Sequence, residues 1–118
     1  MKIDRQKVHQ KYSGHCAYCG KVITIKEMQV DHIVSKSHYK FIPQQEKFDI
    51  NRFENLNPAC RMCNHYKRAE TLENFRRFHL GELHKRLARL YTVRVGLDYG
   101  IVKLIPFDGL FYFEKERS

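Results

Sequence analysis

The spacing of hydrophobic positions changes several times along the chain, and each change predicts an element. In residues 4–12, Val8 and Tyr12 share one helical face behind Asp4, a capping residue, and Gly14 is placed to end the helix. Residues 22–25 are β-branched and predict a short strand. In residues 28–34, Met28, Val30 and His32 alternate onto one side, a second strand signal. Residues 35–53 keep no period; Pro43, Gln44-Gln45 and scattered charges predict a long loop, usually a functional or mobile feature in a compact domain. Residues 56–59 are expected as a short strand or turn. A helix should start near Cys60 and Cys63 and run through Lys67, Ala69, Leu72, Phe75 and Phe78 until Gly81 interrupts it. Leu83, Leu87, Leu90 and Tyr91 then predict a further helix. Val93, Val95, Leu97 and Tyr99 alternate as in a strand, although Gly96 and Gly100 weaken the signal. Residues 101–105 and 110–114 flank the turn Pro106-Phe107-Asp108-Gly109 and predict a terminal β-hairpin.

This order of elements gives an α+β class. The 118 residues suit one domain with a modest core. No repeat, low-complexity segment or linker divides them, so 1–118 is expected as a single domain with a C-terminal extension over 81–118. No apolar run is long enough to span a bilayer. The polar, amphipathic start is not a signal peptide, so a cytoplasmic location is expected. The 22 Lys and Arg against 13 Asp and Glu leave a formal charge of +9, which points to a polyanionic partner, nucleic acid before anionic lipid.

All four cysteines lie in two Cys-x-x-Cys pairs, Cys16/Cys19 and Cys60/Cys63. Two residues between paired cysteines let both sulfurs face one ion, and four thiolates satisfy tetrahedral Zn²⁺ completely. Such a closed site leaves no position for substrate, so this zinc is expected to be structural. Disulfides, a redox dithiol and an iron–sulfur centre are the rival readings of the same residues.

A second, harder set of donors stands beside the thiols. Asp31 and His32 are adjacent, so on a strand they point to opposite faces. Near a strand end they can still serve one reaction, the aspartate on a metal and the histidine on a water. Asn64 follows Cys63, and its amide oxygen suits a cation such as Mg²⁺, as does the Asp31 carboxylate. Taken singly, each residue has a plainer role: a structural Asp-His pair, a helix cap at Asn64, a turn at Asn55.

The joint pattern resembles the HNH endonucleases. The resemblance runs through Cys-x-x-Cys-Gly at 16–20, Val-Asp-His-Ile-Val at 30–34, Asn-Leu at 55–56 and Cys-Arg-x-Cys-Asn-x-x-Lys at 60–67. It implies a zinc-stabilised ββα-metal core over about residues 12–80, with extra helices and the hairpin outside it. It implies His32 as general base, Asp31 and Asn64 as ligands of a catalytic Mg²⁺ or Mn²⁺, and Asn55 as the residue holding the loop that orients His32. Asn64 stands where a histidine also occurs in the family, and His65 is the nearest histidine.

The implied reaction is hydrolysis of DNA, expected to be double-stranded. A neutral imidazole takes a proton from water at physiological pH, and the metal stabilises the phosphate and the departing 3′-oxygen. The products would carry 5′-phosphate and 3′-hydroxyl ends. Lys67, one turn after Asn64 on the same side, is expected at phosphate with Arg61 and Arg68, and a basic stripe continues along the later helices. His9 and His15 are expected at the surface, and His38 in the loop near substrate or solvent. The aromatic run at 110–113 is read as core. The competing function is a zinc-stabilised nucleic-acid-binding or assembly module, a subunit of a larger DNA-processing complex as in phage packaging or restriction.

Overall fold

The computed structural model describes residues 2–115. They form two compact units, residues 2–72 with 111–115, and Glu73–Leu110.

The first unit is built on a two-stranded antiparallel ribbon. Strand β1 (Gln29–His32) pairs with β2 (Leu56–Ala59) in the register Gln29↔Ala59, Val30↔Pro58, Asp31↔Asn57 and His32↔Leu56. Helix α1 (Arg5–Gln10) precedes it, and Asp4 caps α1 by accepting from the amides of Gln6 and Lys7. Helix α3 (Arg61–Lys67) follows β2 directly and lies against β1. The long connection between the strands holds only a four-residue helix α2 (Lys36–Tyr39) and two 3₁₀ turns, Gln44–Glu46 and Phe53–Asn55. Residues 22–25 form no strand; the segment makes one isolated bridge, His15↔Val22, that closes the first cysteine knuckle.

The core of this unit sits under the knuckle. Val8, Cys16, Ala17, Tyr18, Ile23, Met28, Leu56 and Ala59 are buried there. The C-terminal segment supplies Phe111 and Phe113, whose rings meet Tyr18 edge-on at 5.3 and 6.1 Å. The backbone docks as well: the amides of Tyr112 and Phe113 donate to the carbonyls of Tyr18 and Ala17. Helix α7 (Tyr112–Lys115) follows. Of the run at 110–113 read as core, Phe111 and Phe113 are buried, whereas Leu110 is exposed.

The expected terminal hairpin does not form. Asp108 does make a turn, its Oδ1 accepting from the Leu110 amide, but no described residue on either side of it belongs to a strand. The amides at 112 and 113 are already used on the knuckle. The alternating Val93, Val95, Leu97 and Tyr99 are not a strand either; they lie on and just after helix α6 (Tyr91–Asp98). There Val93, Gly96 and Leu97 form the inward face at helical spacing. Gly96 is needed: a Cβ there would lie 2.8 Å from Val102, which folds back to donate to the Gly96 carbonyl.

The single helix expected over 60–80 is broken. It stops at Arg68, whose φ of 55° leaves the helical region. It resumes as α4 (Leu72–Asn74), running into a π-helical stretch, Phe75–Leu80. Helix α5 (Leu83–Leu87) completes the second unit, where the Arg86 guanidinium donates to the carbonyls of Phe78 and His79. No helix among the described residues is long and apolar enough to cross a membrane.

Candidate functional site

The two knuckles place all four sulfurs within 4.8 Å of one another. The first is held by a Cys16 amide bond to the Lys21 carbonyl at 2.8 Å and a Gly20 amide bond to the Cys16 carbonyl at 3.0 Å. Gly20 has a φ of +81°, and a Cβ there would sit 2.6 Å from the Tyr112 ring, so this position needs glycine twice over. The second knuckle is the start of α3: Cys60 is its cap residue, and its Sγ accepts from the Cys63 amide at 3.4 Å.

No disulfide links the four cysteines, and Cys19 and Cys60 Sγ lie 3.9 Å apart. The edge of a thiolate tetrahedron with metal–sulfur bonds of about 2.3 Å is about 3.8 Å, so this pair is spaced as in such a site and the cluster is compatible with Zn²⁺. The thiols are also electrostatically primed. The Cys63 thiol donates to Cys16 and holds its pKa down to about 4, while the same contact and burial push Cys63 up. Burial raises Cys19.

Beside this centre, β1 divides its side chains as a strand must. Asp31 points inward beneath α3 and His32 outward toward the interstrand loop. Asp31 is only 4% exposed. Its Oδ2 accepts from the Tyr18 hydroxyl at 2.5 Å, and the Lys67 ammonium lies 3.3 and 3.2 Å from its two oxygens. Burial raises the Asp31 pKa, and the charge of Lys67 with the Tyr18 hydroxyl opposes that rise. Tyr18 is pushed well above the usual phenol range by burial and by the Asp31 charge. Asn57, wholly buried opposite Asp31, donates to the Tyr18 oxygen at 3.3 Å, and among the described residues its own Oδ1 has no partner.

Lys67 therefore corrects the expectation of a phosphate contact. It does share a face with Asn64, but that face is turned to β1, and Lys67 is 0% exposed. Arg61 and Arg68 are exposed. Asn64 donates from Nδ2 to Gln29 Oε1 at 2.6 Å, and among the described residues no donor reaches its Oδ1. Asn64 and Asp31 thus lie along the same α3–β1 seam, the one against Gln29 and the other against Lys67.

As a ligand for a hard cation, Asn64 fits on chemistry: its amide oxygen is of the right type, and its position one residue after Cys63 is set by the start of α3. Asp31 fits on chemistry, but a cation on its carboxylate must share it with, or displace, Lys67. Asn55 is buried and ties the loop to β1. Its Oδ1 accepts from the Val34 amide at 2.8 Å, and its Nδ2 donates to the carbonyls of Ile50 and Val34. His32 is half-buried, its Nε2 2.7 Å from Asn51 Oδ1.

The other histidines separate from this site. His9 is not a plain surface residue, since its Nε2 lies 2.7 Å from the Ile23 carbonyl. His15 stacks on Tyr112. His38 is exposed and turned back on Ser35. His65 is exposed on α3. Sequence reasoning missed Tyr18, Gln29, Asn51 and Asn57. The strand register could have found Asn57 opposite Asp31; nothing in the local sequence marks the others.

Four thiols on two knuckles, the second of which opens a helix packed on a β-ribbon, define a small metal-knuckle ββα domain. Residues 16–70 match the model of the HNH endonuclease family. No curated protein matches the chain.

Proposed function

We propose that this protein is a metal-dependent endonuclease that hydrolyses phosphodiester bonds in double-stranded DNA. The observation that supports the reading is His32 itself: it is half-exposed at the end of β1, next in sequence to Asp31, and Asp31 lies against the same helix α3 that carries Asn64. His32 accepts the proton of the attacking water. Asn64 and Asp31 offer oxygens to a divalent ion, and Asn55 keeps the loop above His32 in place. A bound Mg²⁺ or Mn²⁺ would neutralise charge on the phosphate and on the departing oxygen. The thiolate centre holds zinc and serves the fold. Arg61 and Arg68, on and beside α3, are exposed and would contact the DNA backbone, and the charge of +9 favours that partner.

The test is supercoiled plasmid incubated with the protein and Mg²⁺ or Mn²⁺. Wild type should nick or linearise it. His32→Ala should lose about 10²–10⁴-fold in rate while keeping zinc, fold and DNA affinity. A His32→Ala protein that cuts at the wild-type rate removes His32 from the mechanism. The closed Asp31–Lys67 pair favours one other reading, a zinc-stabilised nucleic-acid-binding or assembly module. Tight DNA binding by wild type, without cleavage under any divalent metal, would establish that reading instead.

A further inference from the structure

The long interstrand loop brings a second asparagine to His32. We propose that Asn51 is a positioning residue: its side-chain oxygen fixes the proton of His32 on Nε2 and turns Nδ1, with its lone pair, toward the water. The inference rests on the reading of His32 as the general base.

An amide oxygen can only accept, so the 2.7 Å contact requires Nε2 to carry the proton. In the neutral ring the other nitrogen, Nδ1, is then the one that can take a proton. A side chain on a free loop could not hold this arrangement, but Asn51 is not on one. The Asn51 amide donates to Asp49 Oδ1 at 2.9 Å, and the Arg52 amide to the Asp49 carbonyl at 2.9 Å, forming a tight turn. The preceding carbonyl, of Ile50, is gripped by Asn55 Nδ2 at 2.9 Å. Asn55 is buried and bound at both of its side-chain atoms to Val34, two residues beyond His32. The Ile33 amide also donates to the Asn55 carbonyl at 2.8 Å.

A closed circuit results. The strand end carries the ring, Asn55 ties the strand end to the loop, and the loop returns Asn51 to the ring. Without the Asn51 oxygen, the imidazole is free to rotate and to exchange its proton between nitrogens. Either motion takes Nδ1 away from the water.

The experiment uses the full-length, zinc-loaded protein at a pH where the ring is neutral. Single-turnover cleavage of plasmid with Mg²⁺, DNA affinity without cleavage, and the nitrogen–proton correlations of the His32 ring are measured for wild type, Asn51→Ala and Asn51→Asp. The expected result is a rate about 10–100-fold lower in Asn51→Ala, as for loss of a histidine's outer partner elsewhere, with DNA affinity unchanged. The His32 Nε2–H signal, protected in wild type, should be lost to exchange. Asn51→Asp keeps an acceptor and should restore both rate and signal relative to Asn51→Ala. A wild-type ring protonated on Nδ1, or an Asn51→Ala protein with wild-type rate, overturns the proposal. Failure of the underlying reading looks different: His32→Ala would cut normally, whatever Asn51 does.

Discussion

Replacing Lys67 by methionine isolates the buried ion pair at the centre of the α3–β1 seam. The ammonium is 0% exposed and its partner 4% exposed, so solvent screens neither charge. Removing one member of a buried pair strands the other, at a typical cost of about 3–5 kcal/mol. Methionine keeps most of the volume, so the loss reports charge rather than packing. For a domain of this size, about 3 kcal/mol lowers Tm by roughly 10–20 °C. The sign of the pH dependence follows from Asp31, whose pKa is raised in the fold by burial. A carboxyl raised in the fold stabilises it most below its unfolded pKa, and that contribution is lost as pH rises through the folded value. Loss of Lys67 raises the folded value further. The deficit of Lys67→Met against wild type should therefore be largest at neutral pH and shrink on acidification. Thermal unfolding of the zinc-loaded proteins across the mildly acidic to neutral range measures it. The double variant Asp31→Asn with Lys67→Met should recover part of the loss. A Lys67→Met protein within about 1 kcal/mol of wild type at neutral pH, with no pH trend, would refute the pairing.

Chelation of zinc, or Cys63→Ser, should unfold the first unit, because the centre joins the end of α1's segment to the start of α3; far-ultraviolet circular dichroism that is unchanged after complete zinc removal would contradict this. Asn64→Ala should lower cleavage mainly by weakening Mg²⁺ binding while zinc content stays at wild type, and an unchanged activity at limiting Mg²⁺ would remove that ligand. DNA affinity should fall steeply as salt rises, as expected when Lys and Arg displace counterions, and a flat salt response would contradict a phosphate-tracking surface.

Much of the first unit was legible because its signals are local. Asp4 caps α1, the Cys-x-x-Cys spacing makes each knuckle, and Met28, Val30 and His32 alternate along the segment that becomes β1. The strand alternation also separated Asp31 from His32 correctly. The misreadings come from elements whose partners are remote. Val93 to Tyr99 alternates, but Gly96 is chosen for the close approach of Val102, which a local window cannot see. The tail around Asp108 has a turn, yet its second arm spends its amides on Ala17 and Tyr18. Lys67 was placed on the right face of α3, and only the packing of that face on β1 reveals that it is buried.

The same packing explains why the knuckles and the reactive residues occur together. Tyr18 stands between Cys16 and Cys19, and its hydroxyl reaches Asp31. Asn64 stands next to Cys63, and Lys67 follows within the same short helix. Each cysteine pair thus carries a side chain that touches the β1 seam, one through an aromatic ring and one through a helical turn. In a domain this small the hydrophobic core alone leaves little margin. A metal that ties both knuckles fixes the seam from two sides at once, and a shift at either would be felt at the Asp31 carboxylate before it was felt at His32. His32 depends instead on the loop, through Asn55 and Asn51. The two halves of the candidate site are therefore supported by different parts of the chain. The four-cysteine cluster supports the carboxylate side and the long interstrand loop supports the imidazole side.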